Sequence, residues 1–303
     1  MSRRPDYKAA PLKGIARHMI AEIARRLVAY GDLSDITYVG LGGLEFVDFS
    51  VMYDSLGTER MYSIESTESR LRIDFNRPFN KIVNLEGTTT DRLPEIDDLG
   101  TSRSVVWLDY VDTMTLNAQK DLAYLAGKVL PGSAIFVSFN SYFTEGTDLD
   151  KVEEGFGDYW DDTWRRRDFL GWNGADRQRD VAEVVMGRAI GSRLDEGALV
   201  RILDLRYKDS AKMQVVGWLV TDQPDEVDDK LRLLELPFTT AARANDPLEI
   251  RWPDLTVMEW NELHRQMPND DPTSLIKPHS DISDRTLLDF AEVHRFARRQ
   301  LNA

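Results

Sequence analysis

Residues 36–65 read ITYVGLGGLEFVDFSVMYDSLGTERMYSIE, and this stretch decides the fold. An apolar run, Ile36–Val39, meets Gly40, Gly42 and Gly43. An apolar-periodic stretch then passes through Phe46, Phe49, Met52 and Leu56 to Gly57. A second apolar run, Met61–Ile64, ends on Glu65. The order is strand, glycine turn, helix, strand, acid. Glycine lets the backbone turn sharply and approach a ligand closely. The helix that follows offers free N–H groups and the positive end of its dipole. An acid closing the second strand, at roughly the 20-residue distance of the dinucleotide fingerprint, can accept both hydroxyls of a ribose. The glycine spacing is incomplete, because Leu44 and Glu45 stand where further glycines would come. On the glycines alone an ordinary βαβ turn fits as well as a nucleoside site. Glu65 tips the reading toward a nucleoside-containing cofactor.

Upstream, Tyr7 to Tyr30 reads as an amphipathic helix, with Leu12, Ile15, Met19, Ile23 and Leu27 at helical spacing. Lys13 and Arg17 lie one turn apart on one face. They either form part of a solvated face or lean over the cofactor cleft toward an acidic substrate or the cleft acids. Gly31 and Asp32 stop the helix before the first strand.

Downstream, Lys81–Leu85 is the third strand candidate, followed by Glu86, Gly87 and Thr88. Ser104–Leu108 is the fourth, ending in Asp109-Tyr110-Val111-Asp112. Leu116–Leu130 reads as a helix closed by Pro131-Gly132, and Ala134–Phe139 as a fifth strand ending at Asn140. Alternating β and α elements predict a mostly parallel sheet with helices on both faces. In such sheets ligands sit beyond the C-terminal strand ends. Gly40, Glu65, Glu86, Asp109 and Asn140 all fall at such ends, which is stronger evidence than any one of them.

Residues 143–197 interrupt the alternation with charge and tryptophan: Trp160, Trp164, Arg165-Arg166-Arg167 and Trp172. They read as a partly helical insertion with a helix over Asp180–Ile190. Leu199–Tyr207 and Met213–Thr221 then form a hairpin signal. From Gln223 the chain turns acidic and loop-rich, with helices expected at Asp225–Leu236, Val257–Met267 and Arg285–Leu301. Thr256 and Glu259 have capping-box spacing. The expected organisation is an N-terminal helical segment (1–31), a core (32–222) carrying the insertion, and a C-terminal helical appendage (223–303). The fold class is α/β: a Rossmann-like, doubly wound sheet of seven strands, mostly parallel, with an antiparallel terminal hairpin.

The 303 residues suffice for a large core without covalent staples. No cysteine is present, which removes disulfides, thiolate metal sites and cysteine nucleophiles and is compatible with a reducing, cytoplasmic setting. His18, His264, His279 and His294 are dispersed, and Asp109 with Asn140 supplies too few hard ligands for a metal, so none is expected. A formal charge of −14 disfavours nucleic acid as a partner. No apolar run approaches the ~20 residues of a membrane span. The charge pattern leaves the oligomeric state open.

A parallel sheet closed by a terminal hairpin resembles the class I S-adenosylmethionine-dependent methyltransferases. The strings YVGLGGLEFVDF (38–49), MYSIE (61–65), FNRPF (75–79) and VVWLDY (105–110), preceded by a basic helix, resemble the bacterial family called putative O-methyltransferases. The resemblance covers about residues 7–142. It implies S-adenosylmethionine as cofactor, with Gly40 and Gly42 under its methionine part, Glu65 on the ribose, and Glu86 or Thr88 near the adenine. It implies Asp109 nearest the methyl group, where a carboxylate can take the proton of a substrate hydroxyl. Lys13, Arg17, Asp112 and Asn140 fall on the substrate side. Many class I enzymes carry an acid two residues before the first glycine; here that position is Tyr38, and Glu45 or Asp48 would hold the cofactor's ammonium group instead. The expected activity is O-methyl transfer to a small-molecule acceptor. Two other classes share the same signals: an NAD(P)-dependent oxidoreductase, whose sheet would lack the terminal hairpin, and a non-catalytic methyltransferase-like scaffold or partner protein.

Overall fold

The computed structural model describes residues 10–193 and 198–301, with side chains to residue 297. Eight strands form one sheet: β1 (Thr37–Gly40), β2 (Arg60–Glu65), β3 (Ile82–Glu86), β4 (Ser104–Asp109), β5 (Ser133–Asn140), β6 (Ala198–Lys208), β7 (Lys212–Thr221) and β8 (Leu248–Glu249). Their order is β3-β2-β1-β4-β5-β7-β6-β8. The first five are parallel, and β7 pairs antiparallel with both β5 and β6. The expected hairpin is present. The expected count of seven strands is corrected to eight: the two-residue β8 comes from the C-terminal region and pairs parallel with β6. Two residues are too few to carry a periodicity, so nothing in the sequence marks them.

Ten α-helices flank the sheet among the described residues: α1 (Pro11–Arg26), α2 (Val47–Leu56), α3 (Arg70–Asn76), α4 (Thr89–Arg92), α5 (Leu116–Lys128), α6 (Leu149–Phe156), α7 (Asn173–Gly191), α8 (Val227–Lys230), α9 (Val257–His264) and α10 (Asp284–Leu301). The part of the first predicted helix at residues 7–9 lies outside the described residues. Within them it starts at Pro11, whose ring suits the first helical turn, and tightens to a 3₁₀ turn at Leu27–Tyr30. The helix expected over Asp225–Leu236 is broken instead: Arg232 adopts a left-handed φ of 53° between α8 and a 3₁₀ turn, which lets Leu231, Leu233 and Leu236 all turn inward. In α7 the helix is longer than expected, because polar Gln178 lies on its buried face and hides the start from a periodicity count. The Thr256–Glu259 capping box forms as expected.

Two apolar layers sandwich the sheet. One joins α1, α2, the buried face of β6 and the C-terminal region through α10, with Ile15, Met19, Phe49, Trp107, Leu205 and Phe290 in one continuous core. The other packs α5 and α7 on the opposite face, around Leu122, Val137, Phe139, Met186 and Trp218. Parallel strands buried on both faces read as near-continuous apolar runs, and SVVWL and AIFVSF are such runs. No helix among the described residues is long and apolar enough to cross a membrane.

Candidate active site

The C-terminal ends of β1, β2 and β4 open on a cleft of about 900 Å³, within the range of ligand sites. Its walls include Leu41, Gly43 and Glu45 from the glycine turn, Glu65, Thr67 and Glu68 after β2, and Asp109 to Thr113 after β4. A small adjoining cavity is lined by Glu65, Asn84 and Glu86. A second one, under the glycine turn, is lined by Arg17, Gly42, Glu45, Asp48 and Asp109.

The glycine turn is built on close approach. A Cβ on Gly42 would stand 2.5 Å from Ser63 Oγ and 2.8 Å from the Phe46 ring. The Gly42 N–H donates to that same Ser63 hydroxyl at 3.2 Å. Gly40 ends β1, and a Cβ there would stand 2.8 Å from the Tyr38 hydroxyl. The left-handed backbone belongs to Gly43 (φ 53°) and to Phe46 (φ 49°). Gly43 is thus the glycine of the turn proper, a role that spacing alone did not single out.

Glu65 closes β2 in register with Glu86 on β3. Its Oε1 accepts from the Thr67 N–H at 2.8 Å and the Thr67 hydroxyl at 2.7 Å, which fixes the carboxylate at the cleft wall. Thr88 is placed differently from its neighbours. Its hydroxyl caps α4, accepting from the Asp91 N–H at 3.3 Å and donating to the Asp91 carboxylate at 2.7 Å.

Asp109 is the last residue of β4, with its side chain only 10% exposed. One oxygen, Oδ2, is ion-paired with Lys13 of α1; the other, Oδ1, is buried without a hydrogen-bond partner. One turn along α1, Arg17 is ion-paired with Asp48 in the first turn of α2. Lys13 and Arg17 therefore face the strand ends and close onto two acids. Burial alone would lower the Lys13 ammonium, but the Asp109 and Asp48 charges outweigh it and hold Lys13 above the ordinary lysine range. Burial likewise works against the Arg17 cation and is overcome by Asp48. For Asp48 burial dominates and pushes the carboxyl upward, with Arg17 pulling the other way.

Two phenols border this cluster. Tyr38 and Tyr207 are fully buried with unpartnered hydroxyls, and burial raises both well above the usual tyrosine range. Tyr38, which stands where many class I enzymes carry an acid, has its ring edge-on to Phe49 at 5.0 Å.

α1 is fixed from the far end of the sheet. Asp209, in the turn between β6 and β7, accepts from the Leu12 and Lys13 N–H groups at 3.3 and 3.0 Å. Asp209 thus serves α1 as a cap from a distant part of the chain, which no local capping signal announces.

The far wall is pinned by two glutamines. Gln178 of α7 accepts from the Met114 N–H at 2.7 Å and donates to the Asn140 carbonyl at 3.2 Å, joining the loops after β4 and β5. Gln119 donates to the Gly155 carbonyl at 2.7 Å, tying α5 to α6. Asp112 lines the cleft and its carbonyl accepts from the Asn140 N–H at 3.0 Å. The Asn140 amide oxygen accepts from the Tyr142 N–H at 2.8 Å, and Asn140 stands behind the cleft wall rather than in it. Trp160 stacks on Phe169 within an aromatic cluster with Phe156 and Trp164 and is also absent from the cleft lining. Among the described residues, no group of three or more metal-ligating side chains comes together.

A parallel sheet with β7 inserted antiparallel between β5 and β6, and a cleft above the β1 and β4 ends, is the architecture of class I methyltransferases. The chain belongs to the family described as "Putative O-methyltransferase", whose model matches residues 5–298. The match runs well past Tyr142, to which the resemblance read from the sequence extends. Among solved structures, the chain is similar to a "putative hemolysin" from Lactococcus lactis (11% identity, covering 72% of this chain and 89% of that one, TM-score 0.39). It is also similar to an O-methyltransferase from Bacillus cereus in complex with SAH (13%, 72% and 93%, TM-score 0.38). A third is an O-methyltransferase family protein from Burkholderia thailandensis (12%, 66% and 55%, TM-score 0.36), of which the chain spans about half the length. No curated protein matches the chain.

Proposed function

We propose that the protein binds S-adenosylmethionine in the cleft and transfers its methyl group to an oxygen of a small-molecule acceptor. The observation that supports this most is the convergence of the glycine turn, Glu65 and Asp109 on one cleft, in a chain of this family. The residues fit the cofactor. Gly43 of the turn lines the cleft, and Thr67 holds the Glu65 carboxylate at the cleft wall, where it can accept from ribose hydroxyls. Glu86, in the adjoining cavity, takes the adenine side in preference to Thr88, whose hydroxyl is committed to Asp91. Glu45 and Asp48 flank the pocket under the turn, where the ammonium group belongs. When bound, the sulfonium supplies an activated methyl group, so the chain's own part is orientation, exclusion of water and proton acceptance. Asp109, at the cleft wall and ion-paired with Lys13, is read as the proton acceptor for the substrate hydroxyl. Lys13 and Arg17 shape the substrate side by orienting Asp109 and Asp48, and Asp112 forms the outer wall with Asn140 bracing it from behind.

Calorimetry with S-adenosylmethionine, S-adenosylhomocysteine, NAD and NADP in parallel tests the reading. Binding of the adenosyl-sulfur compounds alone is the expected result; binding of either dinucleotide instead would move the protein to the oxidoreductases. The hairpin Ala198–Thr221 already removes the sheet arrangement on which that alternative stood.

A further inference from the structure

We infer that Asp121 is a positioning residue for the cofactor cleft: through Thr89 and Tyr110 it fixes the distance between the adenine end and the methyl end of the site. The inference rests on the cofactor reading above. Asp121 lies in the middle of α5 and is 1% exposed. One of its oxygens, Oδ2, accepts from two hydroxyls, Tyr110 Oη at 2.7 Å and Thr89 Oγ1. Among the described residues these hydroxyls, not a cation, meet the carboxylate. A buried carboxylate is costly unless its acceptor capacity is used. A carboxylate only accepts, so both hydroxyls are committed as donors. Burial, and then the Asp121 charge, hold the Tyr110 phenol well above the usual tyrosine range, which keeps it a donor.

The two donors come from opposite sides of the site. Thr89 opens α4, just after Glu86 on the adenine side. The turn between them is tied down: Thr88 caps α4, and the Gly87 N–H donates to the Glu65 carbonyl at 2.9 Å. Tyr110 follows Asp109 directly and lines the cleft, its ring stacked on Phe139 at 5.9 Å. In the sheet β2 and β1 stand between β3 and β4, so no strand ladder joins Glu86 to Asp109 directly. Asp121 joins their two loops at a single oxygen. A ligand that spans two subsites binds best when they are already fixed at its own length. A ligand that fills only one subsite gains nothing from that fixation. Asp121 therefore matters for the whole cofactor and not for its adenosine half.

The test measures S-adenosylhomocysteine binding by calorimetry and adenosine binding by ligand-observed NMR on the full chain, with a thermal midpoint for each variant. Thr89→Val is the main probe, because Thr89 is outside the cleft lining and acts on a ligand only through its neighbours. It should weaken S-adenosylhomocysteine binding about fivefold, the size of one net hydrogen bond, and leave adenosine affinity unchanged. Tyr110→Phe keeps the ring in the cleft wall and should do the same. The two substitutions together should lose less than the product of their separate effects, since either one opens the clamp. Asp121→Asn keeps an oxygen that can accept from both hydroxyls and should retain most of the affinity; Asp121→Leu should not. A loss shared equally by S-adenosylhomocysteine and adenosine, or a lower thermal midpoint with both affinities unchanged, overturns the inference and leaves the cofactor reading standing. Failure of the unaltered chain to bind either ligand overturns both.

Discussion

Lys13, in the first turn of α1, is ion-paired with Asp109, the last residue of β4. A lysine at a helix N-terminus opposes the helix dipole, so its position there is set by the partner rather than by the helix. Breaking such a pair leaves the surviving charge buried. Lys13→Met and Asp109→Asn are each expected to destabilise the fold by about 3 kcal/mol, the lower end for buried pairs because both side chains keep some exposure. The double variant should lose much less than the sum. Urea unfolding of all four proteins measures the coupling, and additive losses would show that the pair does not hold α1 to the sheet.

Glu65→Ala tests the ribose assignment. The substitution removes hydrogen bonds from a carboxylate and should weaken S-adenosylhomocysteine binding by about 1.5–3 kcal/mol. Thr67 loses its partner as well, so the melting temperature serves as a control. An unchanged affinity in a folded variant would remove Glu65 from the site.

The first seven strands were legible because a sheet buried on both faces writes itself as unbroken apolar runs, whereas their order in the sheet was not read. Glu65, Asp109 and the glycines could be placed because topology puts strand ends at one edge. What could not be read depends on contacts between distant segments. Asp209 meets α1 across most of the chain, and Gln178 looks like one more polar residue of a helix until the loops it joins are seen. The cations of α1 were ambiguous for the same reason: Lys13 and Arg17 are four residues apart on any helix, and only packing of α1 against α2 and the β4 end decides whom they meet. Thr88 shows the converse. A polar residue at a strand end suggested a ligand contact, but Asp91 three residues on takes its hydroxyl for a helix cap.

His294 makes stability depend on pH. Burial, more than the neighbouring His264 and Arg295 charges, depresses its pKa below 6.5 against the pull of the Ala291 carbonyl. The unfolded chain therefore binds a proton that the folded one refuses. This contribution is complete above pH 6.5 and is lost as pH falls through the depressed folded value. The midpoint of urea unfolding should drop between about pH 7.5 and about pH 5.5, the range spanning an ordinary histidine. His294→Phe should flatten that drop, since its ring already stacks on Phe290 at 5.4 Å. An equal drop in the variant would place the acid sensitivity elsewhere.

Asp209 provides the sharpest test of whether α1 belongs to the site. It lies in the β6–β7 turn, outside the cleft lining, yet it accepts two N–H groups at the start of α1 and so fixes the backbone from which Lys13 reaches Asp109. Burial raises its carboxyl, so the cap is ionised less readily than an exposed one, though the two N–H groups favour the charged form. Asp209→Ala should cost about 1 kcal/mol, as other lost caps do. The helix should remain, because Ile15, Met19 and Ile23 anchor its buried face. Its first turns should then exchange amide hydrogens faster, and S-adenosylhomocysteine affinity should fall severalfold through the displaced Lys13–Asp109 pair. Asp209→Asn keeps one of the two acceptor oxygens, since Leu12 and Lys13 donate to different ones, and should restore only part of both. If exchange at residues 12–17 speeds up while ligand affinity holds, α1 is only packing; if both change together, the helix is part of the binding site.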